Sequence, residues 1–319
     1  MTVTPPPAEG VRLQWDEVPE AARRAFEDWA GSPVAAAVSQ PGGFSPGVAA
    51  RVRLSDGRGV FVKAIGPKPN PDSPTFHRME ARIASALPAA VPAPRLRWTY
   101  DQDNWVLLAF DEIEGRHPAQ PWRDDELQRV IDAMVELAVT LTPSPLATGE
   151  VQTLGERLAT RIRGWQTLRD APPAGLDEWS RRHLEKLADL EALAPGAAVG
   201  DTLLHFDIRA DNVLIGPDGR VWFFDWPHAC VGAAWFDAVA FAPSVTMQGG
   251  PPPEQVLARY GATRDADPAD VTACVATVAG FFTRTALEPP PPGLPTVRAF
   301  QVAQAIVARE WLAQRTGWA

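Results

Sequence analysis

Hydrophobic and polar positions follow different patterns in the first third of the chain and in the rest. In the first third, short apolar runs rich in valine alternate with turns rich in glycine and proline, which is typical of antiparallel strands. Residues 75–87 follow the third run and show helical periodicity. The pattern predicts a five-stranded antiparallel sheet with this helix inserted after its third strand, and a short amphipathic helix over residues 15–30 before it. The predicted strands are residues 33–40, 48–55, 59–65, 95–100 and 104–110.

After Gly115 helical periodicity dominates the chain. The segment 200–227, punctuated by glycine and proline, interrupts the helices with two short strands. The predicted fold class is therefore α+β, with a sheet-rich lobe over residues 1–112 and a mainly helical lobe over residues 113–319. The predicted helices of the second lobe are residues 123–142, 154–169, 177–193, about 235–245, 253–260, 268–285 and 295–316.

Composition indicates an ordinary globular protein. The 319 residues carry a net charge of −9 and 45% of them are hydrophobic. This acidic balance argues against a nucleic-acid partner held by general electrostatics, and two cysteines are too few for a zinc site. No apolar run is long enough to span a membrane, and residues 1–7 lack the pattern of a secretion signal. We therefore expect a cytoplasmic protein with no membrane partner.

The acidity lies mainly in the helical lobe. Residues 1–115 hold 12 basic and 14 acidic side chains, whereas residues 116–319 hold 18 and 25. A solvated helical surface accounts for such a bias. The alternative is a substrate site that prefers cations.

The segment 205–226 predicts a hairpin that brings two oxygen-bearing side chains together. A turn over residues 216–219 separates an outgoing strand from a returning one. If the centre of this turn lies between residues 217 and 218, Asn212 lies opposite Phe223. Asp225 then shares the face of Phe223, because side chains on a strand repeat with period two. An amide oxygen and a carboxylate at the open end of one hairpin suit a magnesium ion, which prefers oxygen ligands.

Asp207 lies in the loop before this hairpin, five residues ahead of Asn212. A carboxylate beside a metal-bound phosphate can accept a proton from an attacking hydroxyl. Each of these polar residues, taken alone, could instead be a turn or cap residue of a surface hairpin. Against that alternative, the return strand is almost entirely apolar before Asp225, whereas a solvated hairpin would alternate.

A second candidate pair lies in the first third of the chain. Lys63 stands in a strand that is otherwise nearly all apolar, and it is one of only three lysines among 30 basic residues. Glu80 lies on the same stripe of the following helix as Phe76, Ile83 and Leu87. A carboxylate on a core-facing stripe needs a partner, and Lys63 is the natural one. The ion pair would aim the ammonium group at a phosphate. The alternative is a lysine at a strand edge and a glutamate at the border of the helix face.

The loop 42–47 between the first two strands contains three glycines. Glycines let backbone N–H groups approach phosphate oxygens, although most such loops only turn a hairpin. The loop matches neither the P-loop pattern GxxxxGK[ST] nor GxGxxG.

Together these features resemble the aminoglycoside phosphotransferase family, the small-molecule branch of the protein-kinase-like fold. Lys63 and Glu80 match the lysine of the third strand and the glutamate of the helix in that fold. The resemblance covers about residues 35–310. It implies a bilobal protein-kinase-like fold with a small catalytic hairpin in the helical lobe. The family patterns H-x-D-x4-N and D-W-x2-A-x2-G-x4-D are met by His205, Asp207 and Asn212, and by Asp225, Trp226, Ala229, Gly232 and Asp237.

The resemblance implies ATP and Mg²⁺ as cofactors and gives each candidate residue a role. Asp207 would be the catalytic base, and Asn212 and Asp225 would hold magnesium. Lys63 would contact the α- and β-phosphates of the nucleotide, and Glu80 would orient it.

The resemblance also implies supporting residues around the reacting groups. His205 and Asp237 would brace the catalytic loop. The adenine would lie against the link after Phe110 and hydrogen-bond to the backbone there. The further residues implied for nucleotide binding are Ser45, Asp111, Glu112 and Ile113.

The chain departs from the family pattern at three positions. Phe206 replaces the commoner glycine after the histidine, and Pro227 and Ala233 replace the usual acidic residues. None of these changes removes a reacting atom, so they concern the assignment to a subfamily and not the chemistry. Eleven residues separate Asp225 from Asp237, too few for the activation loop of a protein kinase.

The implied function is ATP-dependent phosphorylation of a hydroxyl group on a small molecule, foremost an antibiotic or a related natural product. A metabolite kinase for choline, homoserine, a thio-sugar or a fructosamine is the alternative. A nucleotide-binding pseudo-enzyme that regulates a partner is a third reading. Such proteins usually lose residues of the type of Lys63, Asp207 or Asp225, and all three are present. The sequence carries no indication of oligomeric state.

Overall fold

The computed structural model of the chain describes residues 6–68, 70–147 and 149–319. Its N-terminal part is the predicted five-stranded antiparallel sheet, in the order β1-β2-β3-β5-β4. The prediction that the chain does not begin with a secretion signal concerns in part residues 1–5, which lie outside the described residues. The strands are β1 (Val34–Ser39), β2 (Val48–Leu54), β3 (Gly59–Ile65), β4 (Leu96–Gln102) and β5 (Trp105–Asp111).

Two helices accompany the sheet. The helix α2 (Ser73–Ala86) follows the third strand, as predicted. The helix predicted over residues 15–30 is wrong in its first part, where a single 3₁₀ turn at Trp15–Glu17 precedes α1 (Glu20–Ala30). Pro19 separates the two, because the residue before a proline is disfavoured in helical conformation.

The alternation of side chains along β3 decides which of them face the cleft. Val60, Val62 and Ala64 pack on one face of the sheet in a core that includes Phe26 of α1. Since successive side chains on a strand point to opposite faces, Lys63 lies on the other face. The charged side chain is thereby directed away from this core.

The C-terminal part is mainly helical. Among the described residues, no helix is long and apolar enough to cross a membrane. The helices of the C-terminal part are α3 (Asp124–Thr140), α4 (Leu154–Thr160), α5 (Trp165–Asp170), α6 (Glu178–Arg182), α7 (Leu184–Ala197), α8 (Phe236–Met247), α9 (Pro253–Arg259), α10 (Pro268–Ala286) and α11 (Val297–Thr316).

The single helix predicted over residues 154–169 is wrong, because the segment forms α4 and α5. Glu191 of α7 accepts hydrogen bonds from the N–H groups of residues 164–166, at 2.8, 3.1 and 2.9 Å. These bonds satisfy the free N–H groups at the start of α5. A cap supplied by a distant helix leaves no local signal in the sequence. The helix predicted over residues 177–193 is likewise split at His183 into α6 and α7.

Short strands connect the helices around the candidate site. The pair β7 and β8 is the predicted hairpin. The pair β6 and β9 was not predicted, since runs of three residues are too short to show a period. These strands are β6 (Thr202–Leu204), β7 (Val213–Ile215), β8 (Val221–Phe223) and β9 (Cys230–Gly232).

The main hydrophobic core lies among the helices of the C-terminal part, and α2 contributes to it. Ile83 and Leu87 are buried in the same cluster as Phe241 of α8. Phe76 was predicted on the same core-facing stripe, but its side chain is 37% exposed and packs against the ring of His228 at 5.2 Å. Only the C-terminal half of the predicted stripe therefore belongs to the core.

Candidate active site

A cleft of about 610 Å³ lies between the sheet and the open end of the hairpin. Four predicted site residues do not line this cleft, namely Glu112, His205, Asp207 and Asp237. The predicted site residues that line the cleft are Ser45, Lys63, Glu80, Asp111, Ile113, Asn212 and Asp225.

Lys63 joins the two parts of the molecule. Its Nζ atom donates hydrogen bonds to Glu80 Oε1 at 2.6 Å and to Asp225 Oδ1 at 2.9 Å. The predicted contact between Lys63 and Glu80 is therefore present. The side chains of Lys63 and Glu80 are only 11% and 4% exposed. The contact with Asp225 connects the sheet directly to the hairpin.

Burial and charge together set the ionisation of this triad. Burial raises the pKa of Glu80 to about 7, against the attraction of Lys63. Burial also opposes ionisation of Lys63 and Asp225, but their mutual attraction prevails. It raises the pKa of Lys63 above its ordinary value and lowers that of Asp225 below it. The Lys63–Asp225 contact therefore stays charged at neutral pH.

The hairpin register differs by one residue from the prediction. Val213, and not Asn212, pairs with Phe223. Asn212 ends a short 3₁₀ turn at Ala210–Asn212, and Asp225 adopts a left-handed backbone conformation with φ of 71°. The period-two argument therefore does not apply beyond the strand ends. The two side chains nevertheless line the same cleft, because the N–H group of Phe224 donates to the carbonyl of Asn212 at 3.2 Å.

Both side chains leave one oxygen available for a cation. Asn212 Nδ2 donates to the carbonyl and to Oδ2 of Asp207, at 2.8 and 3.1 Å, which directs its amide oxygen elsewhere. Asp225 Oδ1 receives Lys63, and among the described residues no donor reaches Oδ2. An amide oxygen and a carboxylate oxygen fit a hard cation such as Mg²⁺, which completes its shell with water and phosphate.

Asp237 holds the loop that carries Asp207. It lies in the first turn of α8 and accepts the N–H groups of His205 and Phe206 at 2.9 and 2.8 Å. Burial raises the pKa of this carboxyl to about 6. Phe206 has a φ of 70°, which is rare for a bulky residue, and its ring stacks on Phe236 at 5.7 Å. Two hydrogen bonds and one stacking contact thus support the position where glycine is commoner.

His205 is fully buried and acts as a neutral spacer in the same loop. Its Nδ1 accepts the N–H group of Asp207 at 3.3 Å, so Nε2 carries the proton that is donated to the carbonyl of Phe224 at 3.1 Å. Burial lowers the pKa of His205 to about 4. The bond to Phe224 connects the loop to the residue before Asp225.

Acidification is expected to weaken the fold through His205. The unfolded chain takes up the histidine proton near pH 6.5, whereas the folded protein does so only near pH 4. This contribution to stability is complete above pH 6.5 and is lost as the pH falls towards 4, about 3 kcal/mol in all at roughly 1.4 kcal/mol per pH unit. Urea unfolding at pH 7.5 and 4.5 measures it. His205→Gln should lose less stability than wild type over this interval, and equal losses would contradict the assignment.

Arg209 is a site residue that the sequence analysis missed. It contacts Oδ1 of Asp207 and binds Asp211 through Nε and Nη2, at 3.0 and 2.9 Å. Burial disfavours its charge, yet Asp207 and Asp211 raise its pKa above the ordinary value. The position of Arg209 between two aspartates of the 205–212 motif was a sequence signal that could have indicated this contact. The guanidinium also lies 5.5 Å from the ring of Phe44 in the glycine loop.

The glycine loop borders the cleft and contacts the last helix. Phe44 packs edge-on against Phe300 of α11, with ring centroids 5.1 Å apart. Ser45 lines the cleft, and its hydroxyl has only a long hydrogen bond of 3.4 Å to the carbonyl of Pro46. Among the described residues, the Ser45 hydroxyl has no closer hydrogen-bond partner than this carbonyl.

The link after β5, whose backbone is the predicted adenine edge, borders the cleft. Asp111 and Ile113 line the cleft. The side chain of Glu112 instead accepts hydrogen bonds from Arg51 and Arg53, at 2.9 and 3.4 Å. The predicted adenine contact concerns the backbone of this link, so the direction of the Glu112 side chain does not bear on it.

The fold and the site together define a class. A sheet lysine, a helix glutamate and a hairpin aspartate meet in one cleft of a two-part fold, as in kinase-like phosphotransferases. The chain belongs to the APH phosphotransferase enzyme family, whose model matches residues 42–272. No curated protein sequence matches the chain significantly.

Solved structures share this fold over nearly the whole chain. An aminoglycoside phosphotransferase from Alicyclobacillus acidocaldarius is 14% identical with a TM-score of 0.59, over 96% of this chain and 97% of the other. A thermostable form of aminoglycoside phosphotransferase APH(4)-Ia with ADP and hygromycin B is 16% identical with a TM-score of 0.60, over 94% and 99%. The choline kinase LicA from Streptococcus pneumoniae is 12% identical with a TM-score of 0.61, over 92% and 100%.

Proposed function

We propose that this protein is an ATP-dependent O-phosphotransferase that moves the γ-phosphate of ATP to a hydroxyl group of a small molecule. The observation that carries the proposal is the position of Lys63 Nζ, 2.6 Å from Glu80 and 2.9 Å from Asp225. A phosphate-binding cation and a metal-binding carboxylate then lie at one point of the cleft, which is what a metal–triphosphate requires. The ADP in the APH(4)-Ia structure supports an adenine nucleotide.

The lobe of residues 1–112 would bind the nucleotide, and the lobe of residues 113–319 the acceptor. Lys63 would contact the α- and β-phosphates, with Glu80 fixing its position, and Ser45 would donate its hydroxyl to a phosphate oxygen. The adenine would lie against the backbone of residues 111–113.

Asn212 and Asp225 would hold magnesium through the two oxygens that receive no donor from the described residues. The ion would neutralise charge on the phosphates as the transferred group moves. Asn212 also binds Asp207 through Nδ2, at 2.8 and 3.1 Å. The same side chain would thus set the distance between metal and base.

Asp207 would accept the proton of the acceptor hydroxyl. As the acceptor oxygen forms its bond to the γ-phosphorus, the bond from that phosphorus to ADP breaks, and the hydroxyl proton passes to the carboxylate. Hydrogen bonds orient both carboxylate oxygens, Oδ1 toward Arg209 and Oδ2 toward Asn212. Such preorganisation favours transfer from a correctly placed hydroxyl.

The acceptor that best fits the family is an antibiotic or a related hydroxylated natural product. Hygromycin B and spectinomycin are bound in similar structures. In the described part of the chain, each acidic side chain that lines the cleft already pairs with a base, so neutral acceptors belong in the test as well as cationic ones. These pairs are Glu80 and Asp225 with Lys63, Asp111 with Arg97, and Asp211 with Arg209.

A metabolite kinase is the second candidate, since the choline kinase LicA shares the fold. Homoserine, thio-sugars and fructosamines are further acceptors of this type. A pseudo-enzyme is disfavoured because Lys63, Asp207 and Asp225 are all present, and Lys63 contacts Asp225 in the cleft.

Acceptor-dependent ADP release from ATP tests the proposal. The panel is aminoglycosides, nucleoside antibiotics, macrolides, choline, homoserine, a thio-sugar and a fructosamine, each with Mg²⁺. We expect one class to raise ADP release well above the acceptor-free rate and to yield a phosphate ester by ³¹P NMR. Preparations of Asp207→Ala provide the control for contaminating kinases. A protein that neither binds ATP nor turns over with any acceptor would contradict the proposal.

A further inference from the structure

The N-terminal segment, residues 6–12, runs along the cleft and connects the two parts of the molecule. On one side, Val11 accepts the N–H group of Gly47 of the glycine loop at 3.1 Å. On the other, the N–H group of Val11 donates to the carbonyl of Gly293 at 2.9 Å, and Glu9 donates to Thr296 Oγ1 at 3.3 Å. The segment thus ties the glycine loop to the start of α11.

Arg12 of this segment lines the same cleft as Lys63. Its Nη1 and Nη2 atoms donate to the carbonyls of Ser45 and Gly42. Within the described ranges, the buried Nε atom has no hydrogen-bond partner and no carboxylate forms a salt bridge with Arg12. Of the five N–H donors of a guanidinium, most remain unused.

A largely buried cation without a counter-ion is costly unless an anion joins it. Burial lowers the pKa of Arg12, while the field of Asp225 opposes the shift. Lys63 differs from Arg12, since two carboxylates already neutralise it. Arg12 is therefore a cation that lines the cleft without a salt bridge to any described residue.

We propose that Arg12 binds the phosphate chain of the nucleotide, so that the N-terminal segment forms part of the nucleotide site. This inference rests on the proposed function. The planar guanidinium presents N–H groups in a fork that matches phosphate oxygens. Its charge would add to that of Lys63 in the same cleft.

The same contacts keep the glycine loop in place for this role. The bonds from Arg12 hold two loop carbonyls, and a Cβ atom on Gly10 would lie only 2.9 Å from the carbonyl oxygen of Ser45. The segment and the loop therefore pack backbone to backbone. With one N–H group unused on each terminal nitrogen, Arg12 can bind a phosphate without releasing the loop.

Arg12→Gln separates the charge from the packing, because glutamine can still donate to one loop carbonyl. Isothermal titration with Mg²⁺ compares adenosine, AMP, ADP and a non-hydrolysable ATP analogue on wild type and variant. We expect the affinities for ADP and the ATP analogue to fall roughly 10- to 100-fold, the usual effect of losing a charge-assisted hydrogen bond. The affinity for adenosine should change less than about twofold.

Arg95→Gln is the matched control. Arg95 also donates through both terminal nitrogens to two backbone carbonyls, of Leu87 and Pro88, at 3.1 and 2.9 Å, but lies outside the cleft lining. This variant should leave all four affinities unchanged. An equal loss for adenosine and ADP in Arg12→Gln would indicate a purely structural role and overturn the inference, as would no loss at all. Failure of the wild type to bind any adenine compound would instead overturn the proposed function.

Discussion

Replacing Asp207 by alanine is expected to lower turnover roughly 10²- to 10⁴-fold, the usual contribution of a positioned general base. The loss should appear in kcat, since the carboxylate acts on the acceptor hydroxyl as the O–P bond forms. The reason for the large effect is geometric. Asn212 and Arg209 hold the two carboxylate oxygens, and alanine offers no substitute acceptor at that position.

The surrounding loop should survive this change. Arg209 keeps Asp211 at 2.9 Å, and Asp237 still holds the N–H groups of His205 and Phe206. We therefore expect the affinity for ADP, measured by isothermal titration, to stay within about threefold of wild type. Near-native turnover of Asp207→Ala would remove the assignment of this base.

Asp201→Ala is the matched control for Asp207→Ala. Asp201 is an exposed aspartate just before β6, and its side chain makes no hydrogen bond with the described residues. Its replacement should leave kcat and the ADP affinity at wild-type values. A comparable loss in this control would point to general damage and not to a lost base.

Local patterns in the sequence predicted the part of the site that depends on regular elements. The sequence pairs Lys63, a rare lysine in an otherwise apolar strand, with Glu80 on the core-facing stripe of the following helix, and their contact is present at 2.6 Å. The hairpin was predicted, but its register was off by one residue. Asp225 takes a positive φ that a strand argument does not anticipate.

Contacts between distant segments could not be predicted in this way. Arg12 reaches the glycine loop from a segment without regular structure, and Glu191 caps α5 from another helix. In both cases a side chain satisfies backbone groups more than 20 residues away in the chain. No period relates such positions, so only the folded chain reveals them.

The replacement Asp225→Asn is expected to lower kcat/KM by at least about 10³-fold and to abolish the dependence of the remaining activity on Mg²⁺. Electrostatic stabilisation by a bound metal contributes several kcal/mol, and each 1.4 kcal/mol is a factor of ten. The amide keeps the shape of the carboxylate but loses the charge that attracts the ion. Lys63 keeps its partner Glu80 at 2.6 Å, so the cleft should persist.

Two titrations separate loss of the metal site from loss of the fold. In wild type, Mg²⁺ should tighten ADP binding, whereas in Asp225→Asn the affinities with and without Mg²⁺ should converge. Asp218→Asn is the control, because Asp218 lies in the turn of the same hairpin and, among the described residues, accepts only the N–H group of Arg220, at 2.9 Å. That variant should keep the wild-type response to Mg²⁺. If Asp225→Asn remained fully activated by Mg²⁺, the ion would have to be held elsewhere, and the shared role of Asn212 and Asp225 would be wrong.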